Sequence, residues 1–254
     1  MESSTSGELR APGKIRVLSG RVLDLRNLQP EDIYIEDIAW GLGRTLRYGG
    51  HIREDYTVAH HSIIMSYLVA PEYALEALLH DAAEAYIGDI IWPVKTLFPA
   101  IEKFENMLAL KIMQKFDVKT HGTDLLYTDA GYPEVSAPIP LYVKSGACES
   151  ADQLMLQHEC FGFGRPGTFI REVEDAWMKA VTEHEMWWHA PTYAFLERYD
   201  WLTGMNVLDL DALSKLWFAD DEHSERMVKE AEAAMTELGY LIPDPPKKEE
   251  VANG

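Results

Sequence analysis

Apolar residues return at three- and four-residue intervals in one segment of this chain after another, and that period admits helices and little else. Ile35, Ile38, Ala39 and Leu42 share one helical face, as do Val58, His61, Ile64, Met65 and Leu68, and again Ile101, Phe104, Leu108 and Ile112. Gly49-Gly50, Gly88, Pro93, Pro99 and the run GlyPheGlyArgProGly at 162–167 punctuate the series. The spacing predicts helices near 31–46, over 57–68, from Pro71 to Tyr86, over 100–116 and from about Val143 to Cys160. Helical patterns continue at 170–189, 190–203, 208–217 and 220–238. There is no βα alternation and no internal repeat, so the fold class is all-α, a helical bundle with extra C-terminal helices. Arg16–Leu25 leaves room for one short N-terminal hairpin, and residues 118–142, rich in Gly, Pro, Thr and Asp, read as a long irregular loop.

At 254 residues and 47% hydrophobic content the chain can bury one sizeable core. Residues 1–14 are polar and 243–254 Pro-rich and charged, which predicts flexible ends around a core at 15–165 and a helical extension at 166–242. The net charge of −19 argues against a nucleic acid polymer as partner, because such a surface needs clustered Lys and Arg. The same charge repels small anions, so any phosphate site must carry its own cations. Cys148 and Cys160 are too few for a disulfide framework or a four-thiolate zinc site and read as reduced, packed thiols. No apolar stretch approaches about 18 residues and the N-terminus lacks a hydrophobic signal segment, so the expectation is a cytoplasmic protein with no membrane partner.

The pair His80-Asp81 closes the apolar run at 74–79, with Glu84 and Asp89 following. On a continuous helix Asp81 and Glu84 lie three apart and His80 and Glu84 four, on one face. A neutral imidazole and a carboxylate can bind one divalent cation while the neighbouring carboxylate handles water. The dipeptide alone is weak: with 9 His and 42 acidic residues, about one or two such pairs arise by chance, and His158-Glu159 and His184-Glu185 count as that background. More weight lies in His61, His80, Asp81 and Asp152 together, on three predicted helices beside apolar stripes, since two carboxylates buried without a cation are costly. His60 competes with His61, but adjacent helical residues diverge by roughly 100°. In HEMWWH at 184–189 the histidines are five apart, not the four of a metalloprotease helix.

In order along residues 20–160 stand Arg47-Tyr48, His61-Ser62, His80-Asp81-Ala82-Ala83-Glu84, Gly88-Asp89, Pro93-Val94-Lys95 and Ala151-Asp152. This series resembles the HD-domain metal-dependent phosphohydrolases, especially the branch of bacterial 5′-deoxynucleotidases and phage deoxynucleotide triphosphohydrolases. The resemblance implies that 15–165 is an HD core and that His61, His80, Asp81 and Asp152 ligate a divalent metal (Mn, Co, Zn or Fe, with Mg open). It implies Glu84 and Asp89 as catalytic residues, Glu84 on the attacking water and Asp89 through a supporting contact or the leaving group. Arg47 and Lys95 would hold phosphate and Tyr48 would lie against base or sugar of a small nucleotide, for instance dATP. Arg44 is an alternative to Arg47. Mono- and triphosphate substrates both remain open, homo-oligomerisation is expected by analogy, and the reading from a different class is a non-catalytic nucleotide-binding scaffold.

Overall fold

The computed structural model describes residues 12–52, 55–119, 123–126, 139–162, 170–183 and 190–207. All fall within one unit, Met1–Asp209, while Leu210–Gly254 is a second unit. The expectations for residues 1–11, for helices over 208–217 and 220–238, for the HEMWWH segment and for the 243–254 tail lie outside the described residues. The described part is mostly helical: α1 (Ile35–Leu42), α2 (Val58–Leu68), α3 (Ala74–Leu79), α4 (Glu84–Ile87), α5 (Trp92–Lys95), α6 (Pro99–Lys115), α7 (Gly146–Gly162), α8 (Arg171–Glu183) and α9 (Pro191–Thr203). No helix among these residues is long and apolar enough to cross a membrane.

The N-terminal hairpin forms, with β1 (Lys14–Arg16) antiparallel to β2 (Val22–Asp24) and Ile15 opposite Leu23. Its turn passes through Gly20 at φ +81°, a left-handed conformation that glycine takes at little cost. Asp37 ties the hairpin to α1, accepting from Ser19 N at 2.8 Å, Ser19 Oγ at 2.9 Å and Arg21 Nη2 at 3.3 Å. The helix is shorter than the predicted 31–46, because Pro30–Asp32 makes a separate 3-10 turn before it and Arg47–Gly50 another after it.

Thr57 caps α2: its hydroxyl accepts from His60 N, and His60 Nδ1 accepts from Thr57 N at 3.1 Å. The apolar stripe predicts one buried face, yet every residue from Val58 to Ser66 is buried. The reason is packing on several sides, by α1, α3, α7, α8 and α9. Enclosed polar groups must then find partners inside the protein. Ser66 does so, its Oγ donating to Ile63 O at 2.6 Å and accepting from Arg198 Nε at 2.8 Å.

Two expectations fail. The helix predicted from Pro71 to Tyr86 is interrupted: α3 ends at Leu79, residues 80–83 form a tight turn, and α4 resumes at Glu84. In that turn Ala82 N bonds Leu79 O and Glu84 N bonds Asp81 O, the three-residue spacing of a 3-10 helix. The Ala77 carbonyl, which an unbroken α-helix would offer to Asp81 N–H, takes the His80 ring at 2.8 Å. The loop predicted over 118–142 also contains structure, since β3 (Thr123–Leu126) and β4 (Ile139–Tyr142) pair antiparallel with Thr123 opposite Tyr142. Gly and Pro in that stretch marked breaks, while the strands are short and stabilised by β4 packing on α6.

Candidate metal centre

Two separate stretches of chain converge at one point, and a third reaches its edge. His61 comes from α2, His80 and Asp81 from the tight turn after α3, and each offers an atom within 4.8 Å of the others. His61 Nε2 and His80 Nε2 are 3.3 Å apart, His80 Nε2 and Asp81 Oδ2 3.1 Å, and His61 Nε2 and Asp81 Oδ2 3.7 Å. Asp152, from α7, stands at the edge of this group, its Oδ1 3.4 Å from His61 Nε2 and 4.0 Å from His80 Nε2. Ligand atoms about 2 Å from one ion lie roughly 3–3.5 Å from each other, so the spacing suits a shared cation.

The hydrogen bonds behind the two rings set their tautomers. His80 Nδ1 faces the Ala77 carbonyl, which only accepts, so this nitrogen carries the proton. His61 Nδ1 lies 2.8 Å from Glu159 Oε1. Burial opposes the charge on Glu159, but Arg47 and His61 outweigh it and hold the carboxyl down at about 2, so it too accepts. In the neutral form each ring would therefore direct its Nε2 lone pair at the other across 3.3 Å, with two carboxylates alongside; against burial and Arg47, the Glu159 charge and the bonds to Asp152 and Glu159 raise the pKa of His61. Four donor atoms this close require protons or a cation between them, and a divalent cation can take that place. The donor set fits one, and His61, His80 and Asp81 can hold it with Asp152 closing the group.

The surroundings are charged in layers. Against the effect of burial, His80 and Lys144 hold the Asp81 carboxyl well below the usual carboxylate range. Asp152 is lowered likewise, against burial, by its His61 bond and the His80 and Lys144 charges. Lys144 Nζ contacts Asp152 Oδ2 and lies 3.9 Å from Asp81 Oδ1, so it grips the outer oxygens of both. Glu84 behaves oppositely: burial first, then the Asp81 and Asp89 charges, push it well above its ordinary value. Its Oε1 is 3.5 Å from Lys95 Nζ, while Oε2 is buried with no hydrogen-bond partner among the described residues.

The remaining predicted residues divide by what they touch. Arg47 Nη1 reaches Asp81 Oδ2 at 3.4 Å, whereas Arg44 lies over the Trp40 ring and bonds Thr192 Oγ1, so Arg47 is the arginine at the site. Asp89 Oδ2 accepts from Tyr48 N at 2.9 Å, holding a tyrosine at φ +58°, a backbone angle unfavourable for a bulky residue. Lys95 is shared between Glu84 and Glu105, the latter 2.8 Å away. Of the two adjacent histidines, His60 serves the α2 cap and stacks on Tyr56.

Sequence reasoning missed Lys144 and Glu159. Lys144 sits between β4 and α7, where no periodicity marks it. Glu159 was assigned to chance as half of a His-Glu pair, yet it is 1% exposed and accepts from Arg47, Tyr48, Tyr56 and His61. Its signal was available in one respect: it follows Asp152 by seven residues, two helical turns along the same face.

No family model matches the chain. It is similar to the uncharacterized protein YfdR of Escherichia coli (strain K12), 37% identical over 116 residues that make up 45% of this chain and 65% of that protein. An uncharacterized protein of Rhodobacter capsulatus is 47% identical over 89 residues, 32% of this chain and 45% of the relative. The chain thus covers less than two thirds of the length of either relative, and neither name carries an activity.

Proposed function

We propose that this chain is a metal-dependent phosphohydrolase of the HD-domain type that acts on a deoxynucleotide, as a 5′-deoxynucleotidase or a deoxynucleotide triphosphohydrolase. The observation that carries the reading is the Glu84 carboxylate. It is buried, its pKa is raised, and its Oε2 has no partner among the described residues, beside the His61, His80 and Asp81 group with Asp152 at its edge and three cations. The ordered motifs from Arg47 to Asp152 support the same class.

Mixed nitrogen and oxygen donors suit Mn, Co, Zn or Fe, and the carboxylates also admit Mg. Such an ion, when bound, polarises a phosphoryl oxygen and lowers the pKa of water. Glu84 Oε2 receives the proton of the attacking water. Burial first, and the Asp81 and Asp89 charges after it, hold the Glu84 pKa up; a cation beside Asp81 would weaken the second contribution and favour the basic form. Arg47 and Lys95 neutralise the phosphoryl oxygens, which supplies locally the cations that a chain of net charge −19 lacks overall. Asp89 acts by fixing the Tyr48 backbone, and with it the Arg47 side chain next door.

Incubation with Mn²⁺ or Co²⁺ and a panel of deoxynucleoside mono-, di- and triphosphates, with products separated by chromatography, tests this. Nucleoside plus phosphate identifies a deoxynucleotidase; nucleoside plus triphosphate identifies a triphosphohydrolase. Nucleotide binding without turnover under any metal identifies the non-catalytic scaffold, and absence of both metal uptake and turnover ends the reading.

A further inference from the structure

We propose that Glu159 is a positioning residue for the metal centre, a clamped carboxylate that fixes His61 in its ligating tautomer. The inference rests on the metal-site reading above. Glu159 lies on α7, and its two oxygens have different tasks. Oε2 accepts from Tyr48 OH at 2.7 Å, Arg47 Nη2 at 3.1 Å and Arg47 Nε at 3.2 Å. Oε1 accepts from His61 Nδ1 at 2.8 Å and from Tyr56 OH at 2.8 Å.

Five donors on one carboxylate are more than burial requires, because a carboxylate offers about four lone-pair sites. Their arrangement matters more than their number. Arg47 and Tyr48 pin one oxygen, so the carboxylate cannot rotate, and the other is thereby aimed at the His61 ring. An acceptor at that place leaves neutral His61 one option: the proton stays on Nδ1 and Nε2 faces the donor cluster. A packing partner for Arg47 alone would need no contact with a ligand histidine. Asp152 and Glu159 belong to the same helix, so α7 supplies both a ligand and the group that orients another.

Glu159→Gln tests this, being nearly the same shape but able to donate through its amide and so to favour the opposite tautomer. Titration calorimetry of the full chain with Mn²⁺ or Co²⁺ should show affinity about 10–100-fold weaker than in the unsubstituted protein. Tyr56→Phe removes a donor from the same Oε1 without touching charge or ring, and should leave metal affinity nearly unchanged while lowering thermal stability. Long-range proton–nitrogen NMR on the zinc-loaded, unsubstituted protein gives an independent readout that does not depend on any variant folding. A proton on His61 Nδ1 is expected. Undiminished affinity in Glu159→Gln, or a proton on His61 Nε2, overturns the inference and leaves the metal centre standing. Failure of the unsubstituted protein to take up either metal overturns the metal centre as well.

Discussion

Asp81 in the tight turn and Glu84 at the start of α4 stand three residues apart, yet their surroundings drive the two carboxyls in opposite directions. Asp81 is flanked by His80, Arg47 and Lys144; Glu84 is enclosed with Asp81 and Asp89 as its acidic neighbours. On the proposed function, that split suits Asp81 to holding a cation and Glu84 to moving a proton. Glu84→Gln should therefore lower phosphate release by about 10²–10⁴-fold with metal content intact, whereas Asp81→Asn should lose both. Metal analysis beside a phosphate-release assay checks the pair of outcomes; equal metal loss in both variants would refute the division. Of the four candidate ligands, His61, His80 and Asp81 come together as one group and Asp152 stands at its edge; they were legible in the sequence because each sits beside an apolar stripe. Glu159 was not legible, because its partners lie about a hundred residues away and composition makes a His-Glu pair unremarkable. The aromatic neighbour Tyr48 favours Arg47 in the sequence, but excluding Arg44 needed Asp81 and Trp40 in place around them.

Helix positions followed from periodicity, because α2, α6 and α7 each bury a recurring set of apolar residues. The break at 80–83 did not, since His-Asp-Ala-Ala contains neither Gly nor Pro; a ring bonded to the Ala77 carbonyl and the site itself override local propensity there. The placement of α4 depends on Gly41 of α1, where an added Cβ would sit 2.7 Å from Ala85 O and 2.8 Å from Ala85 Cα. Gly41→Ala should cost about 1–3 kcal/mol by overpacking, measured by denaturant titration, and should also slow turnover, because Ala85 follows Glu84. A second joint is pH-sensitive. His158 Nδ1 accepts from Ile170 N at 3.2 Å, linking α7 to the start of α8. Burial lowers the pKa of His158, so the folded state favours the neutral ring. A depressed pKa contributes stability above the unfolded value of 6.5 that is lost as pH falls through the folded one. Stability should thus decline on acidification below that point by about 1 kcal/mol, one hydrogen bond, and the decline should be smaller in His158→Asn. Parallel unfolding curves of the two proteins from pH 7.5 to 5 decide it.

At the scale of the whole molecule the candidate centre joins segments far apart in sequence, since the residues that could hold a metal come from α2, the turn after α3, and α7. A cation bound only by the folded chain stabilises it by mass action, about 2.7 kcal/mol when free metal is a hundredfold above Kd. Thermal melts should rise by roughly 5–10 °C with Mn²⁺ or Co²⁺ and return with chelator, and the rise should shrink in Asp152→Asn. Equal melting with and without metal would count against a centre of this kind. Net charge sets a further, longer-range condition. At −19 the protein repels small anions at a distance, whereas on the proposed function Arg47, Lys95 and Lys144 would attract a nucleotide only once it is inside the cluster. Salt separates the two ranges, because the screening length falls from about 30 Å at 0.01 M to about 8 Å at 0.15 M, which removes the distant repulsion and spares close contacts. kcat/KM should therefore rise several-fold over that interval while kcat stays level, the opposite of the usual fall for an anion drawn to a basic protein. A steady fall in kcat/KM with added salt would mean that local cations, and not overall charge, govern the approach of the substrate.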